Sequence, residues 1–364
     1  MRKRTLKLVG ASLLIASALG CEGDDAGAAS GADGQVDGQT DGSAAADGTD
    51  GADGVDGGYK DPTLPDWPTD QPGADDPEAR QWFRAGAWYK LDPDELDDQM
   101  VALFGKHRDD KPLARPQAII TPHAGSKACG DTVAKVWANI SPPDLVIVLA
   151  PNHIKVGKTA AIWNGGPWLI PGLAVPTRRD IIDRFLELLP EDLEGDQEAF
   201  EHQNAHPSEM QLPYLTRKNP NVEVVFISFF DNEKEEYPEF PVERAERVGK
   251  VVAQIVTELQ DAGEEVLVIG STDLSHYEPT ADVEAKDEVM MDAITRFDTV
   301  TLRQEVVDNN FTICGEIAME VFITAMKELG YTGLDVSFRG NSAHMIQEGG
   351  KDSVVGYPGG IIWR

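Results

Sequence analysis

Three uninterrupted apolar runs along the chain lead into polar residues. They cover residues 118–120, 145–149 and 266–269, and a histidine follows each of them within seven positions. Apolar runs without alternation are typical of strands that are buried on both faces of a sheet. We therefore expect three central strands with histidines beyond their carboxyl ends.

Patterns typical of helices lie between and after these runs, at residues 128–140, 178–189, 241–262, 281–297 and 314–329. In the fourth pattern a stripe at helical spacing is assigned to the core: Val283, Met290, Ile294 and Phe297. Alternating strands and helices predict an α/β fold, a layered mixed sheet with helices on both faces and with ligands beyond the strand ends. No strong linker follows residue 80, so we expect a single domain at 59–364.

The amino-terminal segment 1–21 has the order of an export signal. Four basic residues precede an apolar run from Leu8 to Leu19, which is shorter than the roughly 20 residues of a spanning helix. The run ends in Ala18-Leu19-Gly20-Cys21, which resembles a bacterial lipobox. We expect a lipid anchor on Cys21 and a place in the cell envelope, as a periplasmic or outer-membrane lipoprotein. An ordinary secretory signal with a spare cysteine is the alternative.

Residues 22–58 consist mainly of Gly, Ala, Asp, Ser and Thr and contain ten acids and no base. Such a composition predicts a disordered tether, and its Asp-Gly pairs lack the register of a calcium loop. The net charge of −31 argues against nucleic acid as a partner. Beyond Cys21 only Cys129 and Cys314 remain, so the chain is not a disulfide scaffold, and we expect both thiols to stay reduced.

The histidines at strand ends are the first candidates for chemistry. Any one of His123, His153 and His276 could be a hydrogen-bonded structural group. Three at equivalent positions favour one metal-type polar site, because neighbouring strand ends can aim imidazole nitrogens into one cleft.

Further candidates lie at predicted helix ends and loops. Cys314 precedes the last helix, whose amino terminus would lower the thiol pKa and favour a thiolate ligand or nucleophile; a buried packing residue is the alternative. If helical, His206 and Glu209 would share one face and could supply a metal ligand or an acid/base pair; a solvated helix surface, where this spacing is also common, is the alternative. Asp273 has the same spacing from His276 and could orient it or shuttle protons.

Short motifs recur in a fixed order through most of residues 85–364. They are Ala85-Gly86-Ala87-Trp88-Tyr89, Pro122-His123-Ala124-Gly125, Ala150-Pro151-Asn152-His153, the segment 206–213, Ser271 to Tyr277, Thr312-Ile313-Cys314-Gly315 and Ser353-Val354-Val355-Gly356-Tyr357. In this order the chain resembles the MEMO family, also called AmmeMemoRadiSam system protein B, which is similar in fold to class III extradiol ring-cleavage dioxygenases.

The resemblance implies a set of site residues. Metal ligands would be His123, His153 and Cys314, and catalytic pocket residues would be His206, Asp273 and His276. The chain departs from the family pattern after Gly125, where Ser126-Lys127-Ala128 replaces aromatic residues, and at Ala205, where an acid usually precedes the histidine. Because His202 lies just upstream, it could take the place of His206 in the cleft.

Two functions fit these residues. The first is a metal-dependent redox enzyme related to the extradiol dioxygenases, with His276 as general base. Iron or copper is the expected metal, and zinc also fits. Two histidines and one anionic ligand leave the open positions that non-haem Fe(II) requires, whereas a thiolate shifts the preference towards softer metals such as Cu(I) or Zn and makes dioxygenase activity less favoured. The alternative is a non-catalytic surface protein that sequesters metal or holds a small-molecule or peptide ligand. The sequence determines neither the substrate nor the native metal.

Overall fold

The computed structural model describes Gly73 and residues 75–109, 113–200, 205–231, 240–344 and 353–364. All of these belong to one compact unit, Gly57–Arg364. The expected signal segment, Cys21 and the tether at 22–58 lie outside the described residues, and so does His202. Among the helices of the described ranges, none has the length and apolar character needed to cross a membrane.

The described residues contain ten strands, and eight of them form one mixed sheet. The strands in chain order are β1 Pro116–Thr121, β2 Leu145–Pro151, β3 Ala160–Ile162, β4 Trp168–Ile170, β5 Leu173–Val175, β6 Glu194–Gly195, β7 Glu223–Phe229, β8 Val266–Ser271, β9 Val336–Asn341 and β10 Gly356–Trp363. Their order in the sheet is β6-β3-β7-β2-β8-β1-β10-β9, and β4 pairs with β5 separately. The central strands β7, β2, β8 and β1 run parallel, whereas β10 runs antiparallel to both β1 and β9.

Helices connect these strands. They are α1 Pro93–Gly105, α2 Ser126–Trp137, α3 Arg179–Leu188, α4 His206–Glu209, α5 Leu212–Lys218, α6 Val242–Asp261, α7 Thr280–Thr295, α8 Thr299–Val307 and α9 Glu316–Glu328. The five predicted helices are confirmed as α2, α3, α6, α7 and α9, with ends that differ by a few residues. The four residues assigned to the core are buried, as predicted, although Phe297 lies just beyond the end of α7. The prediction missed α1, α5 and α8.

Residues along the central strands alternate between two apolar cores. On β2, Ile147 and Leu149 pack in the core that contains α6 and α9, whereas Val146 and Val148 pack in the core that contains α1 and α2. This alternation explains the continuous apolar runs, because both faces of each strand are covered. The predicted α/β fold is confirmed: a mixed sheet with helices on both faces.

The sheet order also brings the three histidine-bearing strand ends together. In the parallel sheet β8 lies between β2 and β1, and Thr121 of β1 pairs with Ser271 of β8. The carboxyl ends of all three strands therefore meet at one edge. His123, His153 and His276 follow these ends.

Candidate metal centre

His123 is the middle of the cluster at this edge. Its Nε2 atom lies 3.2 Å from Nε2 of His153 and 3.2 Å from Sγ of Cys314. A carboxylate oxygen of Asp273 lies 3.9 Å from the same nitrogen. Ligand atoms of a tetrahedral ion lie about 3.3–3.6 Å apart when the metal–nitrogen and metal–sulfur bonds are about 2.0 and 2.3 Å. Both short distances are close to that spacing.

A hydrogen-bond network fixes the tautomer of His123. Its Nδ1 lies 2.9 Å from Oγ of Ser271, and that hydroxyl accepts from Nε2 of Gln211 at 3.1 Å and donates to the carbonyl of Pro207 at 3.3 Å. A hydroxyl has a single proton to donate, so its bond with His123 requires the imidazole Nδ1–H as donor. Nε2 of His123 then carries a lone pair directed at the cluster.

The donor atoms form two overlapping groups that could hold a metal ion. One contains His123, His153 and His206, and the other contains His123, Asp273 and Cys314; in each group the donor atoms lie within 4.8 Å of one another. The ligand set expected from the sequence takes members from both groups, and His123 is common to them. The structure therefore contains a possible His/His/Cys site with two further donors beside it.

The pKa values of the imidazoles favour their neutral forms. Burial, together with the neighbouring imidazoles, holds the pKa of His123 well below its usual range. Burial, together with the charges of His276 and Arg84, lowers the pKa of His153 to about 3. Neutral imidazole is the form that coordinates a metal, so these two rings need not lose a proton before binding.

Cys314 is held against the end of β8. Its backbone N–H donates to the carbonyl of Asp273 at 3.2 Å, and its own carbonyl accepts from the hydroxyl of Thr272 at 2.6 Å. Gly315 follows with a φ of 88°, and a Cβ at that position would lie 2.8 Å from the carbonyl oxygen of Ser271. The Cys-Gly pair therefore depends on glycine, because another residue would be strained and would clash with β8.

The expectation of a lowered thiol pKa at Cys314 is wrong. Burial, and then the negative charges of Asp273 and Asp231, raise the pKa of Cys314 well above its usual range. The helix dipole is outweighed because the thiol lies in a largely desolvated cluster beside carboxylates. A bound metal ion would reverse this preference, since coordination removes the thiol proton.

His276 is oriented by the segment that precedes Cys314. Its Nδ1 lies 2.7 Å from the carbonyl oxygen of Thr312, so Nδ1–H is the donor, and its backbone N–H donates to the Thr312 hydroxyl at 2.8 Å. The lone pair of Nε2 then faces Sγ of Cys314 at 3.8 Å. The orienting partner of His276 is Thr312, where the sequence suggested Asp273.

Asp273 interacts with His123 instead. Its carboxylate accepts the backbone N–H of His123 at 2.9 Å. Burial raises the pKa of Asp273 to about 7, against the lowering effect of the backbone N–H groups of His123 and Ala124. The side chain can thus hold or release a proton near neutral pH beside the cluster.

His206 and Glu209 both lie on α4 but have different surroundings. The ring of His206 stacks on that of His153, with centres 4.8 Å apart and planes at 21°. Glu209 is completely buried and accepts hydrogen bonds from Arg80, at 2.6 Å, and from the hydroxyl of Tyr89, at 2.9 Å. His206 therefore belongs to the cluster, whereas Glu209 anchors the chain near residue 80 and forms no acid/base pair with His206.

Comparisons with known proteins agree with this arrangement. The family profile described as Memo-like protein matches residues 80–361. A MEMO1 family protein of Aquifex aeolicus is 30% identical over 282 residues, which cover 76% of this chain and 97% of that protein. The chain belongs to the MEMO family. MEMO1 family proteins of Thermotoga neapolitana (28% identical, 76% of this chain and 97% of the relative) and Methanosarcina mazei (26%, 78% and 99%) are similar over comparable lengths.

In this MEMO-family chain the structure brings all six candidate site residues into one cluster. They are His123, His153, His206, Asp273, His276 and Cys314. Their metal-binding and catalytic roles stay predictions. Cys129 packs in the core with its thiol directed at the carbonyl of Ala124, and both it and Cys314 are free thiols.

Sequence reasoning missed the residues that support the MEMO cluster. Ser271 and Gln211 orient His123, and the carbonyl of Thr312 orients His276. All three stand inside the motifs that carry the family resemblance, so membership in a motif was the available signal. Arg84 and Trp88 also contact His206, from a segment more than 100 residues away in the chain.

Proposed function

We propose that this protein binds one transition-metal ion through His123, His153 and Cys314, with iron or copper as the metal and zinc as the other candidate. The observation that carries the proposal is that Nε2 of His153 and Sγ of Cys314 each lie 3.2 Å from Nε2 of His123. Ser271 fixes the tautomer of His123 in which this nitrogen can coordinate a metal. Nitrogen and sulfur atoms at this spacing are suited to binding one metal ion.

The test is elemental analysis of the full-length protein purified without air. We expect about one equivalent of metal in the parent and its loss from both His153→Ala and Cys314→Ala. A His206→Ala variant decides between the overlapping donor groups, because it should keep the metal if His206 only lines the site. A parent that contains no metal and takes up none when metal is added contradicts the proposal.

We further propose that the centre serves redox chemistry. A transition metal with three protein ligands supplies open coordination positions for a substrate. His276 would act as general base: its ring is oriented by Thr312, and its unprotonated Nε2 lies 3.8 Å from the Cys314 thiol. We expect His276→Ala to abolish oxygen uptake with aromatic diols while the metal content stays at the parent level. Unchanged uptake would exclude this role.

A non-catalytic function is the second candidate, and Cys314 is the observation that favours it. A thiolate in place of a carboxylate suits Cu(I) or Zn better than oxygen-activating Fe(II). In that case the protein sequesters metal or holds a small molecule or peptide in the cleft. Copper or zinc in the purified protein, together with no oxygen uptake on any diol, would favour this candidate.

Attachment to the cell envelope through Cys21 completes the proposal. It is supported by the lipobox-like Ala18-Leu19-Gly20-Cys21 and by the acidic spacer that follows. Mass spectrometry of the mature protein should find a diacylglyceryl group on an amino-terminal Cys21. In a Cys21→Ser variant the lipid should be absent and the protein should leave the membrane fraction. A mature chain that starts elsewhere would contradict lipid anchoring.

A further inference from the structure

A cationic and aromatic group of side chains lies beside the metal centre. The guanidinium of Arg84 lies 4.0 Å from the ring centre of Trp88 and 5.1 Å from that of Phe83. We call these three residues the Arg84 clamp. Trp88 contacts His206 edge-on at 4.8 Å between ring centres, and Nη2 of Arg84 lies 3.5 Å from Nδ1 of His206. The ring of His206 therefore lies between the Arg84 clamp and the ring of His153.

Glu209 holds the clamp in position. Its Oε1 atom accepts the backbone N–H of Arg84 at 2.7 Å and that of Phe83 at 3.0 Å, and the same carboxylate binds Arg80 and Tyr89. The side chains of Glu209 and Arg80 are 0% and 4% exposed, so this anchor is rigid and shielded from water. A guanidinium on such a support is arranged in advance for a ligand.

The charge of the clamp is directed towards the centre. Nη2 of Arg84 lies 3.5 Å from Nδ1 of His206, whose ring stacks on that of His153 with centres 4.8 Å apart, so the charge lies close to a candidate metal ligand. Of the two carboxylates described above, Glu209 accepts the backbone N–H of Arg84 and Asp273 accepts the backbone N–H of His123. In a chain of net charge −31, a guanidinium at this place is a specific feature of the cleft.

We infer that the Arg84 clamp binds the carboxylate of an aromatic acid whose opposite end reaches the metal centre. A guanidinium pairs with a carboxylate through two parallel hydrogen bonds, and one guanidinium matches one negative charge better than the two of a phosphate. Phe83 is 43% exposed and Trp88 is half-buried, which leaves aromatic surface for the ring of the ligand. The inference rests on the proposed metal site for the second contact only.

The test compares an acid with its neutral analogue. The probes are 4-hydroxybenzoate and 4-hydroxybenzamide, titrated calorimetrically into the full-length protein in detergent, both metal-loaded and chelator-treated. We expect the parent to bind the acid about tenfold or more tightly than the amide, as one charge-assisted hydrogen bond would give. Added salt should weaken binding of the acid but not of the amide.

Substitutions of Arg84 test whether this residue causes the preference for the acid. Arg84→Met should lower the affinity for the acid about 10- to 100-fold and change that for the amide by less than about threefold, whereas Arg84→Lys should be intermediate. Arg296→Met is the matched control, because Arg296 is an exposed arginine at the end of α7 that pairs with Asp292. It should leave both affinities unchanged.

The outcomes separate the clamp from the metal site. Equal affinities for acid and amide in the parent, or no binding of either, overturn the inference, and this comparison needs no variant to fold. A preference for the acid that survives in Arg84→Met also overturns it. If the protein takes up no metal, the proposed function fails, but the chelator-treated protein still shows the preference for the acid when the clamp is correctly assigned.

Discussion

Removal of one hydroxyl, by Ser271→Ala, tests the arrangement of the metal centre. The Ser271 hydroxyl accepts from Nδ1–H of His123 and from Nε2 of Gln211, and it donates to the carbonyl of Pro207. Alanine leaves these buried groups without their common partner. The imidazole can then rotate or change tautomer, and its Nε2 no longer faces the cluster in a single form.

Two magnitudes follow for Ser271→Ala. Partners that orient a metal-binding histidine typically contribute about 10- to 100-fold to metal affinity, so we expect a loss in that range. A buried polar group without a partner costs about 1–3 kcal/mol, and Gln211 retains the carbonyl of Pro122 at 3.2 Å as an alternative acceptor. The metal-free protein should therefore lose about 1–3 kcal/mol of unfolding free energy.

The assay for Ser271→Ala is competition for the metal with a chromogenic chelator, beside denaturant unfolding of the metal-free protein. Ser228→Ala is the matched control. Ser228 is equally buried on β7, and its hydroxyl has no hydrogen-bond partner among the described residues. The control should keep the parent's metal affinity. Metal affinity within about twofold of the parent in Ser271→Ala, or an equal loss in Ser228→Ala, would refute the reasoning.

Three further predictions concern single residues. Burial raises the pKa of Asp287 to about 6 from 3.8, so the unfolding free energy should fall by about 3 kcal/mol as the pH rises from about 4 to 6 and the buried carboxyl ionises. In denaturant unfolding, Asp287→Asn should remove this pH dependence, whereas Asp292→Asn, at an exposed position, should retain it. Gly315→Ala should abolish metal binding and should lower the melting temperature more than Gly263→Ala does. Both glycines have positive φ, but only a Cβ at position 315 would meet a backbone oxygen of β8. Equal losses in thermal unfolding would contradict this. Glu209→Gln removes the carboxylate that pairs with buried Arg80 and should cost about 3–5 kcal/mol of unfolding free energy. A loss below about 1 kcal/mol would show that this ion pair is dispensable.

The sequence predicted three central strands and five of the helices because their patterns are local, whereas it did not predict the other strands of the sheet. The continuous runs that became β1, β2 and β8 are buried on both faces, and the stripe from Val283 to Phe297 lies in the core. Helices α1, α5 and α8 were missed. Helix α5 has seven residues, all of them buried, so no polar face marks its period.

Inferences about the surroundings of single groups were less successful. The thiol of Cys314 was expected at a helix terminus with a lowered pKa, but burial beside Asp273 and Asp231 raises it. Asp273 was expected to orient His276, but it binds the backbone of His123. Spacing along the chain does not reveal which side chain a rotamer reaches, nor how far water is excluded from it.

The sequence alone determined the α/β class, the positions of the histidines after apolar strands and the resemblance to the MEMO family. These follow from periodicity and from motifs in a fixed order. The tertiary structure alone decided that His123 is the middle of the cluster, that Ser271 and Thr312 set the tautomers, and that Arg84 stands beside His206. Such contacts join segments that are distant in the chain, and only the packing of the sheet and its helices brings them within hydrogen-bonding distance.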